Sequence, residues 1–275
     1  VHLSEEVFKI FELLATLISY ELENQDNDVI RAAKLEEAQR QAEEREKMMG
    51  ILGHDLRTPL TAIKLSAEAI VMSPDPQDVN PLAMQIFSSA GRMNRMITDL
   101  LDFTRARFSG AIPLNRAPVD MRVVCEKVVQ ELQIANPRRT IRLASSGNGV
   151  GEWDGDRAAQ VVSNLVSNAL DYSAPATPVE VILEGDRETM ILSVTNAASD
   201  LPRETMKSMF EAFHSGPSFN SRSRGVGLGL FIVRQILRAH GGEVTVSSHN
   251  GTVRFDTVWP RRASSRETAC EMTEK

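Results

Sequence analysis

Cysteine, net positive charge and long apolar runs are scarce or missing in this sequence, and each shortage removes a class of protein. Only two cysteines occur in 275 residues, Cys125 and Cys270, far apart in the chain. That excludes a disulfide framework and leads us to expect a reducing compartment, the cytoplasm. No apolar stretch approaches the roughly 20 residues that a membrane-spanning helix needs, and the opening residues lack a signal-peptide layout. A formal charge of −6 offers no net basic face for nucleic acid. With 42% hydrophobic and 25% charged residues, the composition is that of a globular protein, and the length predicts two domains.

What is present falls into successive textures. "VFKIFELLATLISYELE" (7–23) spaces its apolar residues as an amphipathic helix whose face needs a partner. Residues 1–33 therefore read as the end or linker of an upstream sensor domain absent from this chain. From Leu35 a 3–4 alternation passes through Ala38, Ala42, Arg45, Met49, Leu52, Leu56, Pro59, Ile63, Ser66 and Ile70, the seam of a coiled coil or helical bundle. Three prolines in "SPDPQDVNP" (73–81) should break it. A second seam is read through Ala83, Ile86, Ala90, Met93, Ile97, Leu100 and Thr104. Two such helices bury one stripe each, and a second copy of the chain would complete a four-helix bundle.

Residues 34–110 form this helical-hairpin domain, residues 111–261 a mixed α+β domain, and residues 262–275 a polar, disordered tail. In the mixed part we read helices at 120–135, 156–170, 203–209 and 226–239. Strands are read at 140–145, 179–184, 188–195, 243–248 and 252–259. Strands running into hairpins favour an α/β sandwich over a doubly wound parallel sheet.

Chemistry concentrates at three places. In "GILGHDLRTPLTAIK" (50–64), with Leu52 at heptad position d and Leu56 at a, His54 falls at f, facing away from the seam, and Thr58 shares much of that face. An exposed imidazole near neutral pH is a competent nucleophile. The adjacent Asp55 can bind one ring nitrogen and accept a proton while the other attacks. Pro59 should kink the helix just beyond.

In "QVVSNLVSNALDYS" (160–173), Asn164 and Asn168 stand at i and i+4, and two amide oxygens one turn apart suit a hard cation such as Mg2+. In "SRGVGLGLFIVRQIL" (223–237), Gly225, Gly227 and Gly229 open a helix whose amides can approach phosphate oxygens, with Arg222 and Arg224 just upstream.

Taken in order, "HDLRTPL", "NLVSNALDYS", "MFEAF" (209–213) and "GVGLGL" resemble four motifs of the sensor histidine kinases of bacterial two-component systems. They match the phosphoacceptor motif, the asparagine box, the phenylalanine box and the glycine-rich end of the ATP lid. The resemblance spans about residues 35–260. It implies a helical-hairpin dimerisation domain, a four-helix bundle in the homodimer, followed by an ATP-binding α/β sandwich shared with gyrase- and chaperone-type ATPases.

By position, the resemblance makes His54 the phosphorylated residue, Asp55 its general base and Thr58 the residue orienting water for dephosphorylation. Asn164 and Asn168 hold Mg2+, and Tyr172 lies near the nucleotide. Arg224, Gly225, Gly227, Leu228 and Gly229 belong to the nucleotide-contacting lid. The implied cofactors are ATP and Mg2+, and the implied partner is the receiver domain of a response regulator.

The chain departs from the family at "NAASD", where an Asp-x-Gly-x-Gly pattern usually stands. Asn196 takes the adenine-accepting position, while Ala198 and Asp200 replace glycines. Asp171 occupies a place where a cation commonly meets phosphate. These departures keep open an alternative, a nucleotide-impaired module acting as a response-regulator phosphatase or docking platform. A gyrase- or chaperone-like ATPase would account for the second half but leave "HDLRTPL" unused.

Overall fold

Alternating buried and exposed positions decide the architecture in a computed structural model, which describes residues 55–72, 76–108, 110–214 and 227–262, with Leu13, Leu35, Glu36, Gln39, Gly50 and Gly53. The chain divides into two units, Val1–His54 and Asp55–Lys275. In the first, the six described residues are each helical and exposed, the seam residue Leu35 included. The expectations for His54, for the other seam positions before Asp55 and for residues 263–275 lie outside the described residues.

The second unit begins with helix α1 (55–72), in which the expected seam residues Pro59 and Ser66 are buried and Leu56, Ile63 and Ile70 half-buried. The helix continues through Pro59, where a kink was expected. Helix α2 (Pro76–Phe108) begins within the stretch expected to break the helix and contains Pro81, so the separation of the two helices is narrower than residues 73–81. Pro76 stands at the first helical position, where its missing N–H would be unpaired anyway. Pro81 is exposed, so the carbonyl it leaves without an intrahelical partner can bind water.

The α2 seam is also corrected. Its inner line is Leu82, Ile86, Ser89, Met93, Met96, Leu100 and Phe103, all half-buried or buried, whereas Ala83, Ala90 and Ile97 are exposed. The shared positions, Ile86, Met93 and Leu100, were legible, and Thr104, also expected, is half-buried; the other expected positions fall on the opposite flank, because α2 carries apolar residues on both. The second flank leaves Met84, Phe87 (77% exposed), Ile97 and Leu101 uncovered in the single chain.

The remainder is a two-layer α/β sandwich. Strand β1 (Ala117–Asp120) leads into α3 (Met121–Ala135), then β2 (Ile141–Gly147), β3 (Val150–Trp153) and α4 (Gly155–Tyr172). Strands β4 (Val179–Gly185) and β5 (Thr189–Ala197) follow, then α5 (Arg203–Ser208), α6 (Gly229–Ala239), β6 (Glu243–His249) and β7 (Thr252–Pro260). Five strands form one mixed sheet in the order β2-β4-β5-β7-β6, with β2 parallel to β4 and the other pairs antiparallel. Helices α3, α4 and α6 pack side by side against it.

Period-2 burial along β4 (Val179, Val181, Leu183) and β7 (Val253, Phe255, Thr257, Trp259) meets the buried stripe of α4 (Val161, Val162, Leu165, Val166, Ala169) and of α6 (Ile232, Val233, Ile236, Leu237). The Val, Leu, Ile and Phe side chains among these each contribute about 1.5–3 kcal/mol by leaving water.

Strands β1 and β3 were not expected. They pair antiparallel with Ala117 opposite Trp153 and Asp120 opposite Val150. Four residues each, one containing Pro118 and the other Gly151, are too short to show an alternation. Their function is local: each ends on the residue before a helix cap or on the cap itself. Asp120 caps α3 by accepting from Arg122 N–H at 3.0 Å. Asp154 caps α4 by accepting from the N–H groups of Asp156 and Arg157, both at 3.1 Å. At the far end of α4, Arg139 donates to the Leu170 carbonyl at 2.7 Å and to Ser173 Oγ, so a cation closes the helix where its dipole is negative.

Behind the α4 cap lies His240, fully buried and 5.1 Å from the Trp259 ring centre. Its Nε2 accepts from the Asp154 N–H at 3.0 Å, so the ring proton must sit on Nδ1, which donates to the Ile236 carbonyl at 2.8 Å. Burial pulls this imidazole below its ordinary 6.5; the Ile236 bond opposes that, Arg116 adds to it, and Asp154 opposes it weakly. The neutral ring is the folded form, so the unfolded chain binds the proton first. Its stabilising contribution is complete above about pH 6.5 and is lost as pH falls below that. Urea midpoints measured from pH 8 to pH 5 are expected to drop more in the wild type than in His240→Gln.

Candidate active site

Helix α4 is amphipathic, so residues opposite its buried stripe turn outward along one line. Asn164 and Asn168 lie on that line, both half-buried, one turn apart. The first turn of α6 comes up beside them. Asn164 Nδ2 donates to the Gly229 carbonyl at 3.3 Å, which leaves its Oδ1 as the group able to serve a cation or a ligand donor. A Cβ on Gly229 would stand 3.7 Å from the Asn164 amide, an ordinary contact that would nonetheless fill the space between the two elements.

Among the described residues no side chain caps the start of α6, whose cap residue is Leu228. The first amides of a helix have no intrahelical acceptor, and the dipole makes their surroundings positive. Leu228 itself is buried, 1% exposed, so it can offer a ligand only its backbone. Just before it, Gly227 has φ +72° and a Cβ there would lie 3.1 Å from the backbone of Phe213 and His214. The Phe213 N–H donates to the Gly227 carbonyl at 3.0 Å, closing a neck across residues 215–226. Arg224 and Gly225, expected at this site, lie outside the described residues.

"NAASD" is tied to the β6–β7 turn. Ala198 N–H donates to the Gly251 carbonyl at 3.0 Å, and Asp200 accepts from the Gly251 N–H at 2.9 Å. The carboxylate that replaces a family glycine is therefore occupied with the hairpin. Asn196 is buried near the end of β5, paired in the sheet with Val253, and its Nδ2 lies 3.5 Å from the Ala197 carbonyl. Tyr172 is at the last turn of α4; burial, and then the neighbouring Asp171, push its phenol up to about 12, so it stays a neutral hydroxyl. On α1, Asp55 is half-buried and Thr58 exposed.

Among the described residues no group of three or more His, Cys, Asp or Glu side chains forms a metal cage. Two amide oxygens without such a cage fit Mg2+, which retains waters and takes further ligands from phosphates. A hollow of about 620 Å3 beside the β1–β3 ribbon, lined by Glu152, Arg187, Glu188 and Arg262, shares no residue with this site. Its mixed charges select no ligand, and the asparagine–glycine arrangement is the chemically specific one.

A polar cluster that the motifs did not reveal joins α2 to the sandwich. Asp102, 1% exposed, accepts from Arg157 Nη1 at 2.5 Å and from Gln160 Nε2 at 2.9 Å. Asp99, one turn earlier, has its carboxyl pushed up to about 6 by burial and by the Asp102 charge, while Gln160 and Arg95 oppose the shift. Phe103 packs against Phe213 and Phe231 with ring centres 5.1 and 5.4 Å apart. An acidic residue on the helix face that also carries Phe103 was the available signal.

Comparison with known proteins agrees with this geometry. Residues 153–263 match the family described as histidine kinase-, DNA gyrase B- and HSP90-like ATPase. Residues 44–108 match the His Kinase A (phospho-acceptor) domain. The sandwich is thus an ATPase domain of that class, preceded by a phosphoacceptor helical domain.

The chain is 33% identical over 219 residues to a bacteriophytochrome of Pseudomonas aeruginosa, covering 79% of this chain and 30% of that protein. It is 34% identical over 210 residues to the probable sensor histidine kinase TcrY of Mycobacterium tuberculosis, covering 75% of this chain and 44% of that one. It therefore spans less than half of either relative. The fold is shared with the Acinetobacter baumannii histidine kinase AdeS (TM-score 0.55, 22% identity, 76% of this chain and 98% of that one). It is also shared with histidine kinase ThkA in complex with response regulator protein TrrA (TM-score 0.57, 21% identity, 80% and 63%). The chain belongs to the two-component sensor histidine kinases.

The left-handed backbone at Gly227 costs a side-chain-bearing residue about 1–2 kcal/mol. Gly227→Ala is expected to lower unfolding stability by at least that amount in urea titrations, with the crowding against Phe213 adding to it.

Proposed function

We propose that this chain is the kinase portion of a sensor histidine kinase, which transfers the γ-phosphoryl group of ATP to His54 and then to an aspartate of a response regulator. The observation that carries the reading is the pairing of Asn164 with Gly229. It sets two outward amides beside an uncapped helix start, in a sandwich preceded by a phosphoacceptor helix. Asn164 and Asn168 would hold Mg2+ through their amide oxygens, and the ion would supply neutralisation of phosphate charge. The amides at Gly227–Gly229, with Arg224 and Gly225, hold the phosphates. Asn196 accepts the adenine amino group, and Tyr172 flanks the nucleotide.

In the transfer, one ring nitrogen of His54 forms a bond to the γ-phosphorus as the bond to the bridging oxygen breaks and ADP leaves. Asp55 takes the proton from the other ring nitrogen, so the phosphorylated ring ends neutral. Thr58, exposed on the same helix, orients water when the regulator is dephosphorylated. The uncovered stripe of Met84, Phe87, Ile97 and Leu101 supports a homodimer through a four-helix bundle. The described residues include no helix long and apolar enough to cross a membrane, and dependence on ATP and a receiver domain favours a cytoplasmic position for this part. ThkA, solved with a response regulator protein, is a structural neighbour consistent with the partner assigned.

The test is incubation of the dimer with Mg-ATP labelled at the γ-phosphate. Label on the wild type and none on His54→Ala is expected; label surviving that substitution would refute the assignment. Asn168→Ala should slow labelling by about tenfold or more, since loss of metal-mediated charge neutralisation is worth several kcal/mol. Raising Mg2+ should recover part of the rate.

A further inference from the structure

The phosphoacceptor hairpin contributes its own residues to the foundation of the nucleotide site. Phe103 of α2 lies between two rings from different parts of the ATPase domain. Phe213 forms one end of the neck closed by the Phe213–Gly227 hydrogen bond, and Phe231 lies in the first turn of α6. That turn begins with Gly229, whose carbonyl is bound by Asn164. A continuous line of contact therefore runs from α2 through Phe231 and α6 to the asparagine expected to hold Mg2+.

The line is anchored at a second point. Asp102, adjacent to Phe103, is sealed between Arg157 and Gln160, which belong to α4 two turns or less before Asn164. Arg157 also donates to Gln160 at 2.8 Å, so the three polar groups are mutually fixed. Arg105 approaches Asp102 from the other side at 3.9 Å. The two helices that form the site, α4 and α6, are each gripped by one of two consecutive residues of α2.

We propose that Asp102 and Phe103 are positioning residues for the nucleotide site. They hold the first turn of α6 against α4, so that the docking of α2 and the binding of Mg-nucleotide strengthen one another. The inference rests on the proposed function, and the reciprocity is a thermodynamic necessity once docking changes nucleotide affinity. Neither residue touches the ligand; both act through α4 and α6.

Binding of Mg-AMPPNP to the full chain by calorimetry, the KM and kcat of His54 labelling, and amide exchange in α2 residues 99–107 provide the test. Phe103→Ala is expected to weaken binding and raise KM about two- to tenfold, the range an aromatic contact of this kind carries. Labelling at saturating nucleotide should change little. Phe103→Leu should recover part of the loss, and Asp102→Asn should act in the same direction as Phe103→Ala.

Mg-AMPPNP should slow exchange in residues 99–107 of the wild type and lose that effect in Phe103→Ala. A fall in thermal midpoint without a change in nucleotide affinity or in ligand-dependent exchange would mark a purely structural contact and overturn the proposal. Tighter binding by the variants would overturn it as well, showing that docking opposes the nucleotide. If Phe103→Ala does not fold, Phe103→Leu and Asp102→Asn carry the same comparison. A wild type that neither binds Mg-AMPPNP nor becomes labelled would remove the proposed function and this inference with it; one that does both, with variants unchanged, removes only the inference.

Discussion

Asp154 is the constraint on which the ATPase half depends. Its carboxylate accepts from the N–H groups of Asn115, Asp156 and Arg157, and its own N–H is taken by His240. One residue thereby ties the linker after the hairpin, the start of α4 and the end of α6. The cap is partly desolvated, and an unpaired N–H in such a place costs about 1–3 kcal/mol. Without it, α4 has no fixed starting point, and the phase of Asn164 and Asn168 around the helix is set by packing alone. Trp153, the preceding residue, adds an indole N–H bonded to the Pro260 carbonyl at 2.7 Å and an edge contact with Trp259. The last strand and the principal helix are thus secured at the same corner.

Much of this arrangement was readable from residue order alone, for a definite reason. The amphipathic helices α3, α4 and α6 and the sheet strands β4 to β7 each bury one face, so periodicity carries their signal, and their ends agree with the expected ones to within a few residues. The asparagine pair and glycine run are local motifs, and the structure brings them together through Asn164 and Gly229. The ribbon β1–β3 was illegible because its pairing joins positions 30 to 36 residues apart with four residues on each side. The α2 seam was half legible: apolar residues on two flanks left Ile86, Met93 and Leu100 common to both readings, and only tertiary packing separates Met96 from Ile97.

"NAASD" illustrates how substitutions at a motif acquire meaning only in three dimensions. Read in sequence, Asp200 introduces a charge where backbone approach to a ligand is usual. Folded, that charge accepts a hydrogen bond from Gly251, and Ala198 donates to the same residue. The stretch exchanges glycine flexibility for attachment to the β6–β7 turn. The Asp102–Arg157 pair makes a similar point in reverse. Nothing in "DLLDF" (99–103) resembles a motif, yet the buried carboxylate is costly unless its partners are in place. Its side-chain bonds make α2 specific in where it docks.

The neck between Phe213 and Gly227 has a consequence for how such chains can diverge. Because its two ends are joined by a backbone bond, the entropy of closing a loop between them is one cost that depends on the number of residues enclosed. That quantity grows logarithmically, about 0.6 kcal/mol for each doubling of length. At that rate, closure entropy by itself sets little limit on the number of residues between Phe213 and Gly227.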